Sequence, residues 1–204
     1  MTRLVLATHN AGKVTELRQI LVDAGVEAEL LGMDSFPEVA DVVETGVTFA
    51  ANALLKAHAV AQATQLPAIA DDSGLAVDVL GGAPGVFSAR WSGRHGDDLA
   101  NLQLLLAQLG DVPDEHRRAH FACAAALALP DGTEQVWHGT MPGHLIREPR
   151  GAGGFGYDPI FVPDEPEGNT LSSAQITPEQ KNAISHRGHA FRSLAADLSK
   201  LLNT

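Results

Sequence analysis

A chain of 204 residues, 45% hydrophobic and 19% charged, has the size and make-up of one soluble globular domain with room for a sizeable core. Its formal net charge of −11 excludes a general surface for nucleic acid or anionic membrane, so a phosphate ester needs a local basic set, a divalent cation, or both. The single cysteine, Cys123, excludes an internal disulfide and, lying in an apolar run, reads as a buried structural thiol.

Residues 4–7 form a short apolar run suited to a buried strand. Thr8-His9-Asn10-Ala11-Gly12-Lys13 follows, and Val14, Leu17 and Leu21 then fall at helical spacing, so the first unit reads strand, loop, helix. Backbone N–H groups at such a helix start, aided by Lys13, make a phosphate seat, although the first glycine and the hydroxyl residue of a Walker A loop are absent. The opening residues do not resemble a signal peptide and no apolar run reaches membrane-spanning length, so a cytoplasmic protein is expected. Residues 27–31 read as a second strand. Glu44-Thr45-Gly46 then stands directly before a helix at 47–62 that is apolar almost all round and is expected to be largely buried. Its polar exceptions, Thr48, Asn52 and Lys56, are spaced four apart and share one face, which is expected to border a wet cleft.

The richest chemistry lies between residues 70 and 93. Apolar residues 66–70 deliver two adjacent carboxylates, Asp71 and Asp72, and Ser73-Gly74 reads as a tight turn into another strand at 75–80. Gly81, Gly82, Pro84 and Gly85 exclude a helix or central strand, and Ser88, Arg90 and Ser92 alternate with Phe87, Ala89 and Trp91. A site for a metal-bound polyanion needs this mixture of acid, glycine and arginine. A helix at 97–109 follows, with Asp97 as N-cap and Leu99, Leu102, Leu105, Leu106 and Leu109 turned inward. His116, Arg117, Arg118 and His120 read as a solvated strand edge. Runs at 121–129 and 134–146 flank Pro130-Asp131-Gly132, a hairpin signal. His138 and His144 have no carboxylate or cysteine at ligand spacing, so no metal role is expected of them.

In Gly151-Ala152-Gly153-Gly154-Phe155-Gly156-Tyr157-Asp158-Pro159, the glycines admit close backbone approach. Phe155, Tyr157 and Asp158 add a stacking face and an acceptor, a set suited to a flat ligand. Phe161 and Val162 continue as a strand. Thr177-Pro178-Glu179-Gln180 opens a helix with a capping box, and Lys181 lies in its first turns. Ser185-His186-Arg187, at the start of a final helix, makes an anion or carbonyl-oxygen site.

Taken in order over almost the whole chain, these segments resemble the Ham1/RdgB-like family of inosine and xanthosine triphosphate pyrophosphatases. The resemblance implies an α/β fold with a long bent mixed sheet flanked by helices, two lobes and a central cleft, forming a single domain over residues 1–204, and a homodimer. It implies Mg²⁺-dependent hydrolysis of dITP, ITP or XTP to the monophosphate and pyrophosphate, with no nucleic-acid or membrane partner. On this basis Thr8, His9, Asn10, Ala11, Gly12, Lys13, Lys56 and Lys181 take the triphosphate, with Ser73 and Arg90 as further substrate contacts. Glu44 and Asp72 hold Mg²⁺, and Asp72 also serves as base for the water attacking the α-phosphorus. Asp71 can exchange either role with Asp72. Phe155, beside Gly156 and Tyr157, stacks on the base, while Asp158, His186 and Arg187 read its edge. A donor aimed at the purine 6-position donates to a keto oxygen and mispairs adenine's amino group, so guanine must be rejected around the 2-position. Departures from the family pattern are small, with His9 at a variable position and Ala174-Gln175 where many relatives carry a glutamate. Two alternatives stand beside this one: a Maf-like pyrophosphatase for modified pyrimidine or methylated guanine nucleotides, and a sensor that binds a triphosphate without cleaving it. Phe155–Asp158 and Ser185–Arg187 argue against the first, and Glu44, Asp71, Asp72 and Lys56 against the second.

Overall fold

Strands apolar at nearly every position call for a sheet covered on both faces. The computed structural model describes residues 2–201 of the chain. Its strands are β1 (Thr2–Leu6), β2 (Ala28–Gly32), β3 (Ala68–Val77), β4 (Arg118–Ala128), β5 (Glu134–Leu145) and β6 (Phe161–Pro163). They form one sheet in the order β2-β1-β3-β4-β5-β6. The helices are α1 (Ala11–Asp23), α2 (Phe49–Thr64), α3 (Asp98–Gln108), α4 (Pro178–Ile184) and α5 (His186–Leu201). β1 runs parallel to β2 and to β3, pairing Val5 with Ala68 and Leu6 with Ile69, whereas β5 and β6 are antiparallel, so the sheet is mixed. Among the described residues no helix is long and apolar enough to cross a membrane.

The chain divides into two compact units, one of Met1–Asp72, Cys123–Gly139 and Arg187–Thr204, the other of Ser73–Ala122 and Thr140–His186. In the first, strand alternation sorts the buried side chains onto two faces. Leu4, Leu6, Ile69, Cys123, Ala125 and Leu127 pack with Leu17 and Leu21 of α1 and Phe191, Leu194 and Leu198 of α5. Val5, Ala68, Ala70, Ala124, Ala126 and Ala128 pack with Ala53, Ala57, Val60 and Ala61 of α2. Each large aliphatic side chain on the first face contributes about 1.5–3 kcal/mol through burial. On the second face, alanine meets alanine.

In the second unit, Leu102, Leu105 and Leu109 pack with Leu75, Val77, Phe121, Met141 and Leu145. Along β5, exposed Thr140 and Pro142 alternate with buried Met141 and Gly143, so one face is apolar and the other polar. The hairpin expected at Pro130-Asp131-Gly132 is present, with Leu129 N–H donating to Thr133 O (2.8 Å) and Thr133 N–H to Asp131 Oδ1 (2.9 Å). The capping box of α4 is complete, Gln180 N–H donating to Thr177 Oγ1 (3.3 Å) and Thr177 N–H to Gln180 Oε1 (2.9 Å).

Five expectations are corrected. Ser73-Gly74 is not a turn: β3 runs unbroken through both residues, with the next N–H, that of Leu75, donating to Ser88 Oγ (2.9 Å). The strand expected at 75–80 therefore ends at Val77, and Asp78–Leu80 form a single 3-10 turn. Helix α2 starts at Phe49 because Thr48 caps it, accepting from Ala51 N–H (3.1 Å), which leaves Val47 outside and exposed. Leu99, in the first turn of α3, is exposed rather than inward. Arg117 is not solvated at all. It is 1% exposed, donating to the carbonyls of Leu109 (2.7 Å), Leu145 (2.9 Å) and Ile146 (3.3 Å).

Candidate active site

β3 outruns β1 at the carboxyl end of the parallel pair, a position where α/β sheets commonly bind ligands. Ala7 N–H donates to Ile69 O (2.8 Å), and β3 then continues into Asp71 and Asp72. The loop leaving β1 is shaped by its own side chains: Thr8 Oγ1 accepts from Asn10 N–H (3.1 Å), and Asn10 Oδ1 caps α1 by accepting from Lys13 N–H (3.2 Å). The N–H groups of Ala11 and Gly12, in the first turn of α1, have no intrahelical acceptor.

Asp71 is 4% exposed and bound by two cations. Lys13 Nζ lies 2.9 Å from its Oδ1 and 3.0 Å from its Oδ2, and Arg187 Nε donates to Oδ2 (3.0 Å). Burial by itself would raise the Asp71 pKa. The charges and hydrogen bonds of Lys13 and Arg187 overcome it and hold the carboxyl well below the usual carboxylate range. Half-buried Glu16 faces the same group, and burial, reinforced by Asp71, pushes its pKa up against the pull of Arg187 and Lys13.

Asp72 has different company. Asn52 of α2, fully buried, donates from Nδ2 to Asp72 Oδ2 (2.9 Å) and accepts at Oδ1 from Gly46 N–H (2.8 Å). One amide thus ties the Glu44-Thr45-Gly46 segment to the acidic strand. Gly46 has to be glycine for this, because a β-carbon there would lie 2.6 Å from Asn52 Oδ1. One turn along α2, Lys56 Nζ donates to Glu44 Oε1 (2.6 Å), both side chains largely withdrawn from solvent. Thr8, His9, Glu44 and Lys56 line a common cavity of about 190 Å³. The polar stripe Thr48-Asn52-Lys56 therefore supplies a cap, a buried bridge and a paired lysine.

The second unit holds a pocket of about 120 Å³ lined by Ser73, Phe155, Gly156, Tyr157, Asp158, Lys181 and His186, among others. Asp158, 2% exposed, accepts at Oδ2 from Phe155 N–H (2.8 Å) and from Lys181 Nζ. Gly154, at φ +70°, brings the backbone so near that a β-carbon would run into the Asp158 carboxylate. The Lys181 ammonium lies 4.8 Å from the Phe155 ring centroid, yet the ring itself is 65% exposed. Tyr157 is buried, donating from its hydroxyl to Ser88 O (2.9 Å), and burial, helped by Asp98, pushes its pKa up. The His186 ring stacks on Phe121 at 5.0 Å and 14°. Asn101 also lines this pocket, its Oδ1 accepting from Ser92 N–H (2.7 Å). Arg90 lies over the Phe87 ring, 5.4 Å from its centroid.

The family model described as the Ham1 family matches residues 4–197. The chain belongs to the Ham1 family. It is 67% identical over 202 residues to the dITP/XTP pyrophosphatase of Streptomyces coelicolor, covering 99% of this chain and 100% of the relative. A solved HAM1 protein from Coxiella burnetii superimposes with a TM-score of 0.89 at 40% identity, covering 98% of this chain and 100% of the other. The crystal structure of a nucleoside-triphosphatase / dITP/XTP pyrophosphatase from Mycobacterium abscessus gives a TM-score of 0.80 at 51% identity, with the same coverage.

Of the residues singled out by resemblance to the Ham1 family, Thr8–Lys13, Glu44, Lys56, Asp71, Asp72 and Arg187 lie in the first unit. Ser73, Arg90, Phe155–Asp158, Lys181 and His186 lie in the second. Two further acidic groups act on these residues without a local signal in the sequence. Glu16 shows no motif, only a place one helical turn beyond Lys13 on α1. Asp98 accepts from Gly156 N–H (2.9 Å), a contact across 58 residues that no local pattern announces.

Proposed function

We propose that this chain hydrolyses non-standard purine nucleoside triphosphates, dITP, ITP and XTP, to the monophosphate and pyrophosphate. Full-length identity of 67% to a protein named dITP/XTP pyrophosphatase carries this reading. Lys13, Lys56 and Lys181 supply the local positive charge that an acidic protein needs for a triphosphate. Asp72, held in place by Asn52, accepts a proton from the attacking water. The water oxygen bonds to the α-phosphorus, the bond from that phosphorus to the bridging oxygen breaks, and pyrophosphate leaves. No covalent nucleophile is required, since phosphoryl transfer depends mainly on positioning and charge neutralisation.

Mg²⁺ suits the donor set. Glu44 and Asp72 offer hard carboxylate oxygens, and among the described residues no three His, Cys, Asp or Glu side chains form a cage. So sparse a set fits an ion that keeps several waters and takes phosphate oxygens. When bound, it supplies charge neutralisation at the phosphates. The exposed Phe155 ring stacks on the base, and Asp158, His186 and Arg187 recognise its edge. The family resemblance adds a cytoplasmic homodimer, which light scattering at twice the chain mass would support. The deciding assay is pyrophosphate release from dITP, XTP, dGTP, dATP and dUTP with Mg²⁺, run alongside Asp72→Asn. Turnover confined to dITP and XTP and lost in the variant is the expected result. Equal turnover of all five refutes the base-reading pocket, and tight dITP binding without turnover makes the protein a sensor.

A further inference from the structure

Successive side chains of a strand point to opposite faces of the sheet, and Asp71 and Asp72 are successive residues of β3. Ile69 belongs to the face covered by α1 and α5, and Asp71 continues it, meeting Lys13 of α1 and Arg187 of α5. Ala68 and Ala70 belong to the face covered by α2, and Asp72 continues that one, meeting Asn52. Glu44 pairs with Lys56, also of α2. The two carboxylates therefore serve different layers of the protein and are not interchangeable.

We propose that Asp71 is a positioning residue rather than a metal ligand: it holds the Lys13 ammonium and the Arg187 guanidinium in one buried cluster, so that the phosphate-binding loop and the base-reading arginine are set together. Both carboxylate oxygens lie within 3.0 Å of a cationic nitrogen, and the side chain is 2% exposed. A Mg²⁺ ion taking these oxygens would have to displace two cations from a buried carboxylate that already holds both of them. A buried carboxylate flanked by two bases has the opposite use, which is to keep both side chains from swinging to solvent. Arg187 is engaged through Nε, at the root of its planar fork, which fixes the plane of the guanidinium. Lys13 is engaged at Nζ, an ammonium with three donors that can serve an anion while still bound to Asp71. Removing the shared carboxylate leaves two like charges facing each other and frees both from their geometry.

This assignment rests on the proposed roles of Lys13 at the triphosphate and Arg187 at the base, and the test separates the two. Mg²⁺ activation curves, KM for dITP and the dITP:dGTP ratio of kcat/KM are measured for wild type, Asp71→Asn, Glu44→Gln and Lys13→Met. For Asp71→Asn, half-activation by Mg²⁺ should stay within about twofold of wild type while KM rises and the ratio falls, each by roughly tenfold, the scale of about 1.4 kcal/mol. A roughly tenfold weaker Mg²⁺ response, matching Glu44→Gln, makes Asp71 a ligand and overturns the proposal, as does an unchanged ratio. Should Asp71→Asn fail to fold by circular dichroism, Lys13→Met decides. A fall in its dITP:dGTP ratio shows that a phosphate-loop lysine acts on base choice through Asp71, whereas equal losses on both substrates overturn the link. A wild type with no preference for dITP over dGTP instead refutes the base-reading role, and the Mg²⁺ and KM comparisons then judge Asp71 alone.

Discussion

Truncation of Phe155 to alanine should separate binding from stability more cleanly than any other change. The ring is 65% exposed, so only about a third of it contributes to the fold. An aromatic side chain buries roughly 150–250 Å² when fully enclosed. A third of that, at about 25 cal/mol per Å², is about 1.2–2 kcal/mol, and alanine retains some of it. The lost Lys181–ring contact adds about 0.5–1 kcal/mol, 4.8 Å being within cation–π range. A stability loss of about 1–2 kcal/mol corresponds to a fall in Tm of roughly 2–8 °C for a chain of this size. Binding is different: loss of a base-stacking aromatic costs about 1–3 kcal/mol, or about 5- to 150-fold in kcat/KM for dITP. The assay is pyrophosphate release at several dITP concentrations, with thermal denaturation of the same samples. A Tm drop well beyond 8 °C, or a kcat/KM within twofold of wild type, would refute the assignment of Phe155 as an exposed stacking platform.

Other perturbations should act through buried groups. Asn52→Ala removes the acceptor for Gly46 N–H and one donor to Asp72; the loss of these two hydrogen bonds, about 0.5–3 kcal/mol each, should lower the urea midpoint and reduce kcat more than KM. Because the folded pKa of Asp71 is depressed, its contribution to stability is complete above the unfolded-state value near 3.8 and is lost as pH falls below it. Urea titrations from pH 5 to pH 2.5 should show that loss in wild type and a flatter slope in Asp71→Asn. Glu16, whose folded pKa is raised, acts in the opposite sense, weakening stability as pH rises past about 4.5. Cys123 is 1% exposed with its pKa pushed up by burial, so iodoacetamide at pH 8 should modify the unfolded chain and leave the native protein unlabelled.

Local signals in the sequence translated directly into structure. The caps at Asp97 and Thr177 and the Asp131-Gly132 turn depend on residues within four positions of one another, so a linear pattern contains them. Two of the misreadings, at Arg117 and at Ser73-Gly74, share a cause in contacts with segments farther along the chain. Arg117 looks solvated beside His116 and Arg118, and the carbonyls of Leu109, Leu145 and Ile146, the last two some thirty residues away, make its burial tolerable. Ser73-Gly74 looks like a turn until the Ser88 hydroxyl arrives from across the chain to occupy the N–H of Leu75. The separation of Asp71 from Asp72 was partly legible, because adjacency within a strand already implies opposite faces. What hid it was the expectation that the strand stopped at Ala70. Glu16 carried no such clue, since its environment is made by Arg187 and Asp71.

The alanine-lined seam between α2 and the sheet has a consequence for how this sequence can drift. Elsewhere in the core a lost methylene leaves a void that neighbours partly fill. At Ala53, Ala57, Ala61, Ala68, Ala70, Ala124, Ala126 and Ala128, all buried, a larger side chain has to displace close-packed neighbours. Each added branch there forces helix from sheet at about 1–3 kcal/mol, against a total stability of only about 5–15 kcal/mol for a domain. The same helix carries Asn52 and Lys56, so any outward shift moves the bridge to Asp72 as well as the backbone. The smallest side chains in the protein thus impose some of its tightest constraints on substitution.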